Sequence, residues 1–274
     1  PPCGRQSLNS ESGLNRKNVV RLPRILCAHL LSASLFFFAP YALAHARSPE
    51  RADRCSDAVV KRLGRHFGLP HFAYPASGRH PSAENGGRLV AGTCKAWPAV
   101  HARIIAAFAY DAGTEYEKAL LLAVLEGPGR RVVASYRGVI PEDAATEVSG
   151  DSLRIDTARY LLSKNTRGFG LRLSAFRDRC TYDGGSDDAL TLFIMDGEAI
   201  RPVLAVTLSH WRYRGGGRCG GEEAPRIDAM TLISVEPTAS NGFADLRFSA
   251  SRSDGKKPVS AVVRYNGQRY DLEP

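Results

Sequence analysis

The chain has 274 residues, with 37 Lys and Arg against 28 Asp and Glu, a formal net charge of +9. Much of that excess sits near the N-terminus: without residues 1–46, which read as a leader, five basic residues and one acidic residue are lost, leaving 32 against 27, or +5. This is an ordinary surface charge and excludes a nucleic-acid footprint, while the remaining residues suffice for one large domain or two small ones.

In chain order, Pro1 to Asn18 is polar and without pattern. The only methionines are Met195 and Met230, so translation is expected to start at a non-Met position such as Val19 or Val20, with residues 1–18 as upstream sequence. Residues 19–46 read as a secretory signal. Arg16, Lys17, Arg21 and Arg24 lead, an apolar run extends from Ile25 to about Pro40, and small residues close it at Ala42-Leu43-Ala44 and Ala44-His45-Ala46. The run falls short of the ~20 residues that span a bilayer. No integral membrane segment is expected after cleavage, and 30 Arg against 7 Lys suggest a GC-rich bacterial source, hence a periplasmic or secreted protein.

Cys3 lies in the upstream stretch. Cys27 opens the apolar run instead of closing it, which excludes a lipoprotein acceptor. Four cysteines remain, Cys55, Cys94, Cys180 and Cys219, and they allow three pairings. The local pairs Cys55–Cys94 and Cys180–Cys219 are expected, each closing a loop worth about 4 kcal/mol by chain entropy. No CxxC or close Cys/His spacing supports zinc.

Residues 47–92 are expected to hold one helix and a loop. Ala58, Val59, Leu63 and Phe67 lie at helical spacing within Ser48–Gly68, and Gly68-Leu69-Pro70 stops the run. Pro70 to Gly92, rich in Gly, Pro, Ser and His, reads as loop. Residues 93–274 carry short β-type runs. Hairpins are predicted at Gly127, Gly197 and Gly267, spaced 70 residues apart, and the last has the Asn266-Gly267 dipeptide. Arg103–Ala109, Leu171–Ala175 and Leu246–Ala250 precede the three hairpins in turn, and Leu153–Asp156 and Met230–Ser234 supply further strands. The pattern predicts about two and a half degenerate units of roughly 70 residues. The fold class is mainly β, antiparallel and sandwich-like, with a small propeller as the alternative.

Asn241-Gly-Phe-Ala-Asp-Leu246 resembles the NGxxDL core of FG-GAP propeller repeats, without the acidic calcium loop before it. The hairpin and Gly-Phe pattern also resembles exported proteobacterial β-repeat proteins. Both resemblances imply an exported β-repeat and carry no catalytic residue.

Three stretches could hold chemistry. Gly150-Asp-Ser-Leu153 spells the tag of a serine esterase family, with Ser152 as nucleophile and His210 and Asp187 as distant partners. Thr207 stands where that family's late DxxH has Asp, however, and a turn before a strand explains the same residues. Asp183, Asp187 and Asp188 could hold calcium, against the simpler reading of a solvated turn. His66, His71 and His80, with Glu84, read as scattered surface residues. Trp211, Arg212, Tyr213, Arg214 and Arg218 interleave aromatics and cations before Cys219. They could offer a hot spot to a protein, glycan or anionic partner, or they could simply alternate along a strand. The resulting expectation is an exported, non-catalytic binding protein for a protein or cell-envelope component, such as an inhibitor, immunity or accessory factor. A secreted serine hydrolase using Ser152 and a calcium-dependent adhesive repeat are the rivals.

Overall fold

The computed structural model describes residues 53–69, 71–74, 87–98, 100–176, 183–214 and 225–272. They form one helix, α1 (Asp57–Phe67), and eleven strands: β1 (Arg88–Ala96), β2 (Arg103–Asp111), β3 (Glu117–Glu126), β4 (Arg131–Pro141), β5 (Leu153–Asp156), β6 (Phe169–Leu173), β7 (Gly184–Asp196), β8 (Ala199–Tyr213), β9 (Arg226–Ser240), β10 (Phe243–Arg252) and β11 (Val259–Val263). The fold is mainly β. The leader lies outside the described residues, as do Cys180 and Cys219, His80 and Glu84. No described helix is long and apolar enough to cross a membrane.

β1 to β4 form one antiparallel meander and β5 to β8 a second. The two join along a single parallel bridge, Ser135 opposite Ala199, where the Ser135 N–H donates to the Glu198 carbonyl at 3.0 Å. From β8 the sheet continues antiparallel through β9 and β10 to β11. The sheet is therefore open and mixed, and it folds back on itself: β5 lies near β1 and β2 without pairing to them, and Lys95 Nζ reaches the Ile155 carbonyl at 3.2 Å.

The runs RIIAAFAY and ALLLAVL do not alternate because both faces of β2 and β3 are buried. Ile105, Ala107, Leu122 and Val124 point toward Leu153, Ile155 and Phe169 in the fold of the sheet. Ala106, Phe108, Leu121 and Leu125 point the other way, under α1. A third core gathers Leu190, Leu192, Val203, Leu204, Leu246 and Phe248 with Tyr265 and Tyr270.

The helix begins later than the periodicity suggests, at Asp57, and its buried face is Val59, Val60, Leu63, Gly64 and Phe67. Ala58 is exposed, with Val60 taking the place expected of it. The disulfide Cys55–Cys94 ties the residue before the N-cap Ser56 to β1. At the other end Gly68, with φ +63°, and Leu69 donate to the Arg65 and Gly64 carbonyls, closing the helix in a left-handed turn. The loop expected over Pro70–Gly92 is shorter than that, since β1 already begins at Arg88. Gly92 falls within the span of that expected loop, yet it lies in the strand, and it is a glycine there because a Cβ would meet Phe108 at 2.6 Å.

The three glycines 70 residues apart all turn antiparallel chains at positive φ: Gly127 between β3 and β4, Gly197 between β7 and β8, and Gly267 between the bridged pair Tyr265 and Tyr270. Each predicted unit is thus four antiparallel strands, the last reduced to a bridge. In the NGxxDL segment, Asn241 and Gly242 make the β9–β10 turn, both at positive φ. Asp245 is buried at a register shift and accepts from Thr238 Oγ1 at 2.8 Å, and Leu246 enters the third core.

Candidate binding site

β8 carries the residues singled out from the sequence, and alternation divides them between its two faces. Trp211 is 3% exposed. Its ring packs edge-on against Phe176 at 5.5 Å and Tyr213 at 5.4 Å, with the Arg226 guanidinium 5.4 Å from its centroid. Gly185 is a glycine for this reason: a Cβ there would lie 3.0 Å from Trp211 and 2.9 Å from Phe176. Trp211 is a packing residue, as simple alternation implies. His210, Arg212 and Arg214 are exposed on the opposite side of the strand, and Arg218 lies outside the described residues.

On the His210 side a groove of about 770 Å³ runs between β8 and β11. Val206, Thr207 and His210 line one wall, Val259, Ala261, Val263 and Arg264 the other, and Phe248 and Ala250 the floor. The groove is the open end of the third core. β9 leaves β8 below Ser209, so the β8 edge from Leu204 to Leu208 has no strand partner among the described residues, and Tyr270 N–H closes only its start by donating to the Val203 carbonyl at 2.7 Å. Among the described strands β11 pairs with β10 alone. Val259 is 69% exposed, and Val262 and Leu272 are more than two-fifths exposed.

Arg264 and Asp271 are the charged residues of the described lining, and exposed Arg212 and Lys257 stand outside it, close in sequence to its two walls. Asp271, the acidic residue among its described lining, accepts from Asn266 Nδ2 at 2.6 Å and is ion-paired with Arg269. Arg212, Lys257 and Arg264 have no ion pair among the described residues. Lys256-Lys257-Pro258 directly before VSAVV is the edge-strand signature that could have located this site from sequence, because lysine and proline blunt unpaired strands.

Ser152 is buried in a tight turn. Its Oγ accepts from the Ser149 N–H at 2.8 Å, and its own N–H donates to the Ser149 carbonyl at 3.1 Å. Leu153, Leu173, Ala189 and Thr207 stand in register across β5 to β8, so Ser152 and His210 are separated by three strand spacings, about 14 Å of sheet. The structure does not bring the two together.

Asp183 is exposed, and its carbonyl accepts from the Tyr213 N–H at 2.8 Å. Asp187 Oδ1 accepts from the Asp188 N–H at 2.9 Å. Asp188, at φ +59°, receives the Arg172 guanidinium in a two-point pair, with Arg154 at 3.6 Å. That pairing holds the Arg172 guanidinium firmly protonated, above its ordinary range. Beside it Tyr160 donates to Asp156 at 3.1 Å, and burial first, then the Asp156 charge, push its hydroxyl well up. Among the described residues no three His, Cys, Asp or Glu side chains converge as a metal site. His66 and His71 are exposed.

A second groove, of about 720 Å³, opens where β1 and β5 face each other unpaired, beside Arg54, Tyr74, Asp151 and Arg154. Both of its arginines are already engaged, Arg54 over the Tyr74 ring at 4.0 Å and Arg154 with Asp188 at 3.6 Å. No protein-family model, curated protein or solved structure matches the chain.

Proposed function

We propose that the chain is an exported, non-catalytic binding protein that engages a protein or cell-envelope partner at the groove between β8 and β11. The observation that carries this reading is the groove itself: apolar Phe248 and Ala250 in its lining, two strand edges without strand partners among the described residues, and exposed Val259, Val262 and Leu272. Exposed apolar surface around an unfilled groove is the usual mark of an interaction site. Export is supported by the signal-like leader and by the Cys55–Cys94 bridge, since such bonds persist in oxidising compartments.

The test is affinity capture from cell-envelope extract, comparing the wild type with a His210→Glu/Arg212→Glu double variant. Both side chains are exposed, so the variant retains the fold. Retention of one saturable partner by the wild type and its loss from the variant is the expected result. Labelling by a covalent serine probe that disappears in Ser152→Ala would overturn the reading in favour of a hydrolase.

A further inference from the structure

We propose that the β8–β11 groove accepts an extended segment of a partner protein as an added β-strand, and that the segment is apolar at alternate positions and acidic at its ends. This rests on the reading of the molecule as a binding protein and names the chemistry of its partner. The geometry is that of a missing strand. Among the described residues the edge of β8 from Leu204 to Leu208 and that of β11 from Val259 to Val263 carry no further strand, and residues of both line the same groove, together with Asn266, Asp271 and Leu272. An inserted strand satisfies backbone groups on either side and turns every second side chain onto Phe248 and Ala250.

Charge selects the occupant. Exposed Arg212 follows the β8 residues of the lining, Lys257 precedes β11 and Arg264 follows it, while Asp271 is already held by Arg269 and Asn266. An incoming strand with acidic ends meets these cations. A second copy of the chain does not fit. Antiparallel self-pairing centred on Ala261 sets Pro258, which has no N–H, opposite Arg264 and brings Lys257 of each copy beside it. Parallel self-pairing sets lysines opposite lysines. Either arrangement places like charges together, so the edge repels itself while remaining open to an acidic partner.

The experiment uses the whole chain with its disulfides formed and two displayed peptide libraries. Each library has five randomised residues, flanked on both sides by two fixed glutamates or by two fixed lysines. The expected result is enrichment of the glutamate-flanked pool, with apolar residues at alternate core positions and at least tenfold tighter binding than the lysine-flanked pool. Lys257→Glu/Arg264→Glu, at exposed positions, should reverse that preference, and bound peptide should slow amide exchange across 259–263. Equal enrichment of both pools, no enrichment, or a preference untouched by the double variant overturns the proposal. So does a dimer in sedimentation that Val259→Lys dissociates, which would give the groove to a second copy. If the libraries fail while capture of an envelope partner still depends on His210 and Arg212, the added-strand proposal falls and the binding reading stands. If capture fails as well, both fall.

Discussion

Trp211 and Arg214 were grouped by their spacing in the sequence, and their environments separate them. Trp211→Ala empties a buried site against Phe176 and should cost about 3–5 kcal/mol of stability. Arg214→Ala removes an exposed side chain and should stay within about 0.5 kcal/mol. Urea unfolding of each variant checks both values, and any binding defect in Trp211→Ala must be read against that loss of fold. A second prediction at this scale concerns acid. Glu126 beside Arg103, Glu236 beside Arg247 and Asp254 beside Arg252 are all held below the usual carboxylate range by hydrogen bonds from those arginines, Asp254 down to about 2. In the unfolded chain the same carboxyls take up protons near pH 4, so below that pH the unfolded state binds more protons than the folded one. Stability contributed by these pairs is present above pH 4 and is lost as pH falls toward 2. Unfolding midpoints at pH 6, 4 and 2.5 should decline in that order, and Asp254→Asn should flatten the decline. The alternation of β8 was legible in the sequence because it is local. The exposed face of His210 and Arg212 was legible as well, but not the groove it borders, since that depends on β11, some fifty residues further on.

Among the elements, α1 is the one most dependent on a covalent tether. Its eleven residues are short for an isolated helix, and Cys55–Cys94 fixes its start to β1 while Val59, Val60, Leu63 and Phe67 cover β2 and β3. A Cys55→Ser/Cys94→Ser variant should lose about 4 kcal/mol by loop entropy, with the earliest amide exchange in 57–67, measurable by exchange coupled to mass spectrometry. The pairing of these two cysteines was expected from the loop they close, and the two hairpins at Gly127 and Gly197 from turn chemistry. The start of β1 was not found, because Gly87 and Gly92 imitate a loop when the chain is read without Phe108 and Tyr110, the aromatic rings that need space at those two positions. β11 was anticipated as half of a hairpin. Among the described residues the pairing across Gly267 is the Tyr265–Tyr270 bridge, and the Tyr270 N–H donates to Val203 of β8.

Among the described residues the molecule is two four-stranded antiparallel units followed by β9, β10, β11 and the Tyr265–Tyr270 bridge, and the proposed site lies beside that third group. In the first unit β2 and β3 bury both faces, whereas in the third β11 is exposed along almost its whole length, and the third core opens beside it toward β8. The unit length was legible as the 70-residue spacing. The way the sheet folds over was not, because β4 meets β8 at a single parallel bridge that no local pattern encodes. The most direct test of the account places a photo-crosslinking amino acid at Val259, on the groove, and separately at Tyr116, an equally exposed residue in the β2–β3 loop, in cells that make the protein. The account predicts one discrete protein adduct from Val259 and none from Tyr116. Adducts of equal yield from both positions, or none from Val259, would contradict it.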